Sequence, residues 1–146
     1  MYSGYVAVTD TKQLHYILVT SQNNPSTDPL QVWLNGGPGC SSLLGFMSEN
    51  GPMVNDDGTD YLSANEWSWN KKVNMLYIEL PGGVGFSTCD PKFGECSFND
   101  EIATDDNVPA LLKWFEKYSD FKNNDFYFSG ESYAGVYIPF TVKKLL

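Results

Sequence analysis

Apolar and polar positions along the chain fall into short alternating runs separated by stretches dense in Gly, Pro, Asn and Asp, the pattern of strands joined by turns. Two such runs, residues 5–9 and 15–21, flank Asp10-Thr11-Lys12-Gln13 and predict a hairpin. Residues 22–28 form a polar turn around Pro25. Leu30-Gln31-Val32-Trp33-Leu34 then reads as a short apolar strand running straight into a glycine-rich loop. Residues 73–80 predict a buried strand closed by Pro81-Gly82-Gly83. Between residues 102 and 118, Val108, Leu111, Leu112, Phe115 and Tyr118 recur at helical spacing, which predicts a helix with one face toward a sheet. Pro109 either lies in its first turn or kinks it. A fifth strand is predicted over residues 125–129, followed by Gly130-Glu131-Ser132-Tyr133-Ala134-Gly135 and an apolar stretch to Leu146. Strand, helix and strand in succession predict an α/β sheet that is parallel after an antiparallel opening hairpin.

Composition narrows the chemistry. The 146 residues match the length of one domain, with 42% hydrophobic and 15% aromatic residues, and no apolar run approaches the roughly 20 residues of a membrane span. Nine basic against 18 acidic residues give a net charge of -9, which repels a phosphate backbone and argues against nucleic acid as a partner. His15 is the single histidine, so a multi-histidine metal site is excluded, and neither metal nor cofactor is expected. Cys40, Cys89 and Cys96 form an odd set, leaving at least one free or paired outside the chain. The first five residues show neither the basic nor the apolar segment of a signal peptide.

The candidate chemistry sits at two strand ends. In Gly130-Glu131-Ser132-Tyr133-Ala134-Gly135 a serine with flanking glycines directly follows a predicted strand and precedes a predicted helix. That is the setting of a nucleophile elbow of the Gly-x-Ser-x-Gly kind, where small residues relieve the crowding of a strained turn. The second site, Asn35-Gly36-Gly37-Pro38-Gly39-Cys40-Ser41-Ser42, follows the third strand, where hydrolases of this architecture place a loop donating one oxyanion-hole N–H. The other N–H would come from Tyr133. A glycine-rich loop alone is more often a tight turn; the pairing of two loops at adjacent strand ends is what suggests catalysis.

Taken together with Tyr2-Ser3-Gly4-Tyr5, Glu49-Asn50-Gly51-Pro52, Ser68-Trp69-Asn70 and Gly83-Val84-Gly85-Phe86-Ser87, these motifs resemble the N-terminal portion of the serine carboxypeptidase family over nearly the whole chain. The resemblance implies the N-terminal half of an α/β-hydrolase fold, running through the elbow, with residues 1–146 as one partial domain. It implies Ser132 as nucleophile, the Gly37 and Tyr133 N–H groups as oxyanion hole, and Asn35, Glu49 and Glu131 as the site for a peptide's C-terminal carboxylate. Two carboxylates facing a third repel unless protons are shared among them, so Glu49 or Glu131 is expected to carry one.

The family's catalytic Asp and His lie far downstream of the serine, whereas this chain stops 14 residues after Ser132. His15 belongs to the opening hairpin and is expected to be a strand residue. The isolated chain is therefore expected to be inactive, with Asp and His supplied by a complementary C-terminal part or another chain. By the same resemblance Cys40 pairs with a cysteine in that part. Cys89 and Cys96 are close enough to close a small loop with each other. Residues 125–129 would form an exposed sheet edge, with Phe126, Tyr127 and Phe128 as an aromatic surface that leaves the isolated polypeptide insoluble or partly folded. The expected function is hydrolysis of a C-terminal peptide bond in a vacuolar, lysosomal or secreted setting. Acyl transfer by the same serine, and a non-catalytic binding module, are the alternatives. No role attaches to Glu79-Leu80-Pro81-Gly82.

Overall fold

In the computed structural model, which describes residues 1–55, 60–93 and 96–146, β1 (Tyr2–Ala7) and β2 (Gln13–Val19) form the predicted antiparallel hairpin. The turn lies two residues earlier in the chain than the pattern suggests. Val8 N–H already donates to Lys12 C=O at 2.9 Å, so β1 ends before residue 9 and β2 begins at Gln13. Next come β3 (Leu30–Leu34), α1 (Leu43–Ser48), the short pair β4 (Met53–Asn55) and β5 (Leu62–Ala64), and β6 (Asn74–Ile78). Helix α2 (Asp100–Lys117), β7 (Phe126–Gly130) and α3 (Ala134–Leu145) complete the chain. The main sheet has the order β1-β2-β6-β3-β7, antiparallel across β1, β2 and β6 and parallel across β6, β3 and β7. The pair β4–β5 was not legible in the sequence.

Alternation along the central strands divides the core into two layers. Leu14, Tyr16 and Leu18 of β2, Leu30, Val32 and Leu34 of β3, and Leu76 and Ile78 of β6 pack on one face with Ala103, Ala110, Leu111 and Trp114 of α2 and Ala134 and Tyr137 of α3. Ile17, Val19, Trp33, Met75 and Tyr77 point to the other face, where Phe46 of α1 covers them. Because both faces are covered, β2 and β6 read as continuous apolar runs.

Helix α2 starts two residues earlier than its apolar spacing implies, because the Asn99 side chain caps it by accepting from Ile102 N–H at 2.7 Å. Pro109 lies inside the helix, well beyond its first turn. The buried stripe also differs from expectation: Ala103, Ala110, Leu111 and Trp114 pack in the core under the sheet and Asn107 is buried against Thr141 of α3, while Leu112 is exposed. Two small alanines let the helix approach, and Trp114 fills the space with Tyr118 stacked on it at 4.8 Å.

At the sheet's β7 edge, the expected aromatic surface is only partly present. Phe126 and Phe128 turn inward against the core, Phe126 meeting Phe115 at 5.2 Å, and Tyr127 alone of the three is exposed. No helix among the described residues is long and apolar enough to cross a membrane.

One buried ion pair ties the hairpin turn to α2: Lys12 Nζ lies 2.9 Å from Asp106 Oδ1. The Lys12 stem runs over Gly82, where an added Cβ would come within 2.8 Å of it, so Gly82 is the space the lysine needs. Burial outweighs the lysine's attraction and holds the Asp106 carboxyl above its usual range. Lys12→Met, which leaves that carboxylate buried without its partner, is expected to cost about 3–5 kcal/mol in chemical denaturation. A loss below about 1 kcal/mol would show the pair to be dispensable.

Candidate active site

Strands β3 and β7 run parallel and in register, Leu34 opposite Gly130, so the loops that follow them leave the sheet at the same end. After β7 the chain turns sharply into α3, and Ser132 takes φ +52°, the sole non-glycine positive φ among the described residues. That conformation costs a residue with a Cβ of order 1 kcal/mol or more, and it persists only where the surroundings enforce it. They do so here by contact. A Cβ on Gly130 would lie 2.4 Å from Leu34 C=O and 2.6 Å from the Ala134 methyl. The position two residues after Ser132 is Ala134, so the strict Gly-x-Ser-x-Gly pattern is not met. Gly135 has open space around it. Close packing thus requires Gly130 and a small Ala134, and it does not require Gly135.

The glycine-rich loop lies directly against this turn. A Cβ on Gly36 would sit 2.6 Å from Tyr133 N and 2.8 Å from the Ser132 Cβ, a separation only glycine permits. Gly37 has φ +109°, and Cys40 N–H closes the loop onto Gly36 C=O at 3.0 Å. The loop's tip is held by Gly39 N–H donating to the Tyr137 hydroxyl at 3.2 Å, and its base by Asn35 N–H donating to Ser42 Oγ at 3.2 Å. Burial pushes the Tyr137 hydroxyl up to about 12, so it stays neutral in that role. Neither the Gly37 nor the Tyr133 N–H finds an acceptor among the described residues, and Ser132 is exposed beside them.

Asn35, Glu49 and Glu131 converge as the resemblance implies. The Asn35 carbonyl oxygen accepts from the Trp33 indole N–H at 2.7 Å and from Gly45 N–H at 3.1 Å, which fixes the orientation of the amide. Its NH2 group is thereby aimed at the two carboxylates, 2.9 Å from Glu131 Oε1 and 3.4 Å from Glu49 Oε1. Glu49 caps the C-terminus of α1, and Asn65 Nδ2 donates to its backbone carbonyl at 3.2 Å. Partial burial, and then the charge on Glu131, raise the Glu49 pKa against the lowering effect of Asn35. Glu49 therefore holds a proton more readily than an isolated glutamate would.

These features have counterparts elsewhere. A family model for serine carboxypeptidases matches residues 1–146. The chain belongs to the serine carboxypeptidase family. It is 47% identical over 139 residues to the lysosomal protective protein of Mus musculus, covering 94% of this chain and 29% of that one. Serine carboxypeptidase-like 45 of Arabidopsis thaliana is 48% identical over 141 residues, with 94% and 30% coverage. Among solved structures, Kex1Δp, a prohormone-processing carboxypeptidase from Saccharomyces cerevisiae, superposes with a TM-score of 0.83 at 32% identity, over 99% of this chain and 33% of its own. Est1E from Butyrivibrio proteoclasticus matches at a TM-score of 0.63 and 20% identity, a likeness of fold alone that covers 97% of this chain and 47% of its own. The fold is that of the α/β-hydrolases. The chain spans about 30% of the length of the curated serine carboxypeptidases it matches.

His15, a β2 residue as expected, is buried and remote from the serine in its bonding. Its Nδ1 lies 2.8 Å from Glu79 Oε2, and its Nε2 lies 3.0 Å from Ser3 Oγ. The order of groups imitates a Ser-His-Glu relay, yet Ser3 sits in an extended edge strand without a nucleophile turn. Cys89 and Cys96 form a disulfide, and Cys40 is free and exposed. Glu79, Ser41 and Tyr137 escaped the sequence reading, although a carboxylate at the end of an apolar strand was a visible signal.

Proposed function

We propose that this serine carboxypeptidase segment supplies the nucleophile and the substrate-anchoring half of a peptidase site, and that the catalytic Asp and His belong to a further part of the protein. Ser132 Oγ attacks the carbonyl carbon of the last peptide bond while the histidine takes the hydroxyl proton. The carbonyl oxygen becomes an oxyanion that accepts from the Gly37 and Tyr133 N–H groups. The C–N bond then breaks, the histidine's proton leaves with the released amino acid, and water hydrolyses the acyl ester on Ser132. Asn35 donates to the substrate's terminal carboxylate, and protonated Glu49 donates a second hydrogen bond beside Glu131. The observation that carries this reading is the oriented Asn35 amide bridging two carboxylates, one of them adjacent to the strained Ser132.

The surroundings support an oxidising, acidic setting. The Cys89–Cys96 disulfide suits a lysosomal, vacuolar or secreted protein, and a shared carboxylate proton is retained best at low pH. The substrate is a peptide with a free C-terminus.

The pH dependence follows from the raised Glu49 pKa. Below it, Glu49 is protonated and donates to the substrate; as pH rises through it, the donor is lost and two carboxylates repel a third. KM for a peptide with a free C-terminus is expected to rise with pH, on the order of tenfold per unit beyond the pKa, and to rise far less for the amidated peptide. Glu49→Gln and Glu131→Gln should flatten this profile, because an amide donates without a bound proton. Identical KM profiles in wild type and both variants would remove the carboxylates from substrate recognition.

A further inference from the structure

Glu79 is fully buried at the end of β6, where a carboxylate is costly unless every oxygen is satisfied. Its partners come from three separate parts of the chain. Oε2 accepts from His15 Nδ1 of β2 at 2.8 Å and from Phe86 N–H of the following turn at 2.8 Å. Oε1 accepts from the Ser41 hydroxyl of the glycine-rich loop. The backbone is held as well: Glu79 N–H donates to His15 C=O at 3.0 Å, and the Ser87 hydroxyl donates to Glu79 C=O at 2.7 Å. The turn is shaped around the carboxylate. At Gly85, φ is +56° and an added Cβ would fall 1.7 Å from Glu79 Oε1.

Ser41 is where the glycine-rich loop becomes α1. Its Oγ accepts from Leu43 N–H at 3.2 Å, and its C=O accepts from Leu44 N–H at 3.0 Å. The loop is pinned at its base through Ser42 and at its tip through Tyr137, and neither pin fixes its rotation about the line joining them. Gly36 also lies against the elbow, and the Ser41–Glu79 bond adds a tie on the opposite flank of the loop, to the end of β6.

We propose that Glu79 is a positioning residue for the oxyanion hole, holding through Ser41 the loop that presents the Gly37 N–H. The inference rests on Gly37 being an oxyanion donor. Deleting such a donor outright costs roughly 10²–10³ in kcat; letting it swing out of line costs less, about tenfold.

The test uses the complete protein with Ser41→Ala, Ser41→Thr, and Tyr118→Phe as a comparator that removes a distant 3.0 Å bond to Tyr16. Turnover of a small ester is measured per serine titratable with a fluorophosphonate, and amide exchange is followed over residues 36–40. The expected result is that Ser41→Ala lowers kcat per titrated site about tenfold with KM within twofold, that Ser41→Thr restores it by keeping the hydroxyl, and that Tyr118→Phe leaves it unchanged. Wild-type kcat per site in Ser41→Ala, or an equal fall in Tyr118→Phe, overturns the proposal. If wild type proves unreactive at Ser132, the functional reading falls by itself, and exchange decides the inference. Exchange over residues 36–40 at least tenfold faster in Ser41→Ala sustains the loop-holding role, and unchanged exchange ends it.

Discussion

Ser132→Ala in the complete protein is expected to lower kcat for hydrolysis of a C-terminal peptide bond by about 10⁶, with KM nearly unchanged. The size follows from the division of labour at the site. Without the hydroxyl no acyl-enzyme forms, and what remains is the oxyanion hole and substrate binding, good for roughly 10³–10⁴ over the reaction in water. KM is expected to be spared because, in the proposed binding mode, Asn35, Glu49 and Glu131 hold the substrate's terminal carboxylate, and none of them bonds Ser132. Steady-state kinetics on a peptide with a free C-terminus would check both numbers. A fall in kcat of less than tenfold would show that the strained serine is not the nucleophile.

Gly36→Ala is expected to be the most damaging change that alters no reacting group. The new methyl would lie 2.6 Å from Tyr133 N, 2.8 Å from Glu131 C=O and 2.8 Å from the Ser132 Cβ. All three belong to the elbow, and two are backbone atoms with no flexible end to swing away. The two loops must separate, which costs about 1–3 kcal/mol of stability as overpacking. It also displaces both proposed oxyanion donors, the Gly37 and Tyr133 N–H groups, so kcat should fall by roughly 10² or more. Gly135→Ala provides the contrast. It adds a methyl into open space inside α3, where alanine is favoured over glycine by about 0.5–1 kcal/mol, so stability should hold or rise and activity should persist. Equal activity in Gly36→Ala and wild type would mean that the loop and the elbow do not act together.

The five strands of the main sheet were legible because their apolar runs are bounded by turn residues, and the two candidate loops were legible because glycine clusters at strand ends are rare without a steric reason. Helix α2 was legible in place and incompletely in orientation. Ala103 and Ala110 carry little hydrophobic weight in a periodicity count, so Leu112 was assigned to a face that the small alanines and Trp114 occupy. The remaining gaps concern contacts between residues distant in sequence. Nothing near Gly82 announces that Lys12 passes over it toward Asp106, and nothing near Glu79 announces that Ser41 and His15 share its carboxylate. Similarly, the amide direction of Asn35 depends on Trp33 and Gly45, a fact of packing that the motif alone does not contain.

The central claim is that Ser132, set in its positive-φ turn against the Gly36 backbone, is the residue that attacks substrate. Labelling the complete protein with a fluorophosphonate and mapping the adduct by peptide mass spectrometry tests it most directly, because the chain offers a second serine, Ser3, already bonded to a histidine. The expected adduct is one phosphonyl group per chain on Ser132, abolished in Ser132→Ala and unaffected by Ser3→Ala. An adduct on Ser3 or any other residue, or no adduct on a folded protein that hydrolyses peptides, would contradict the assignment.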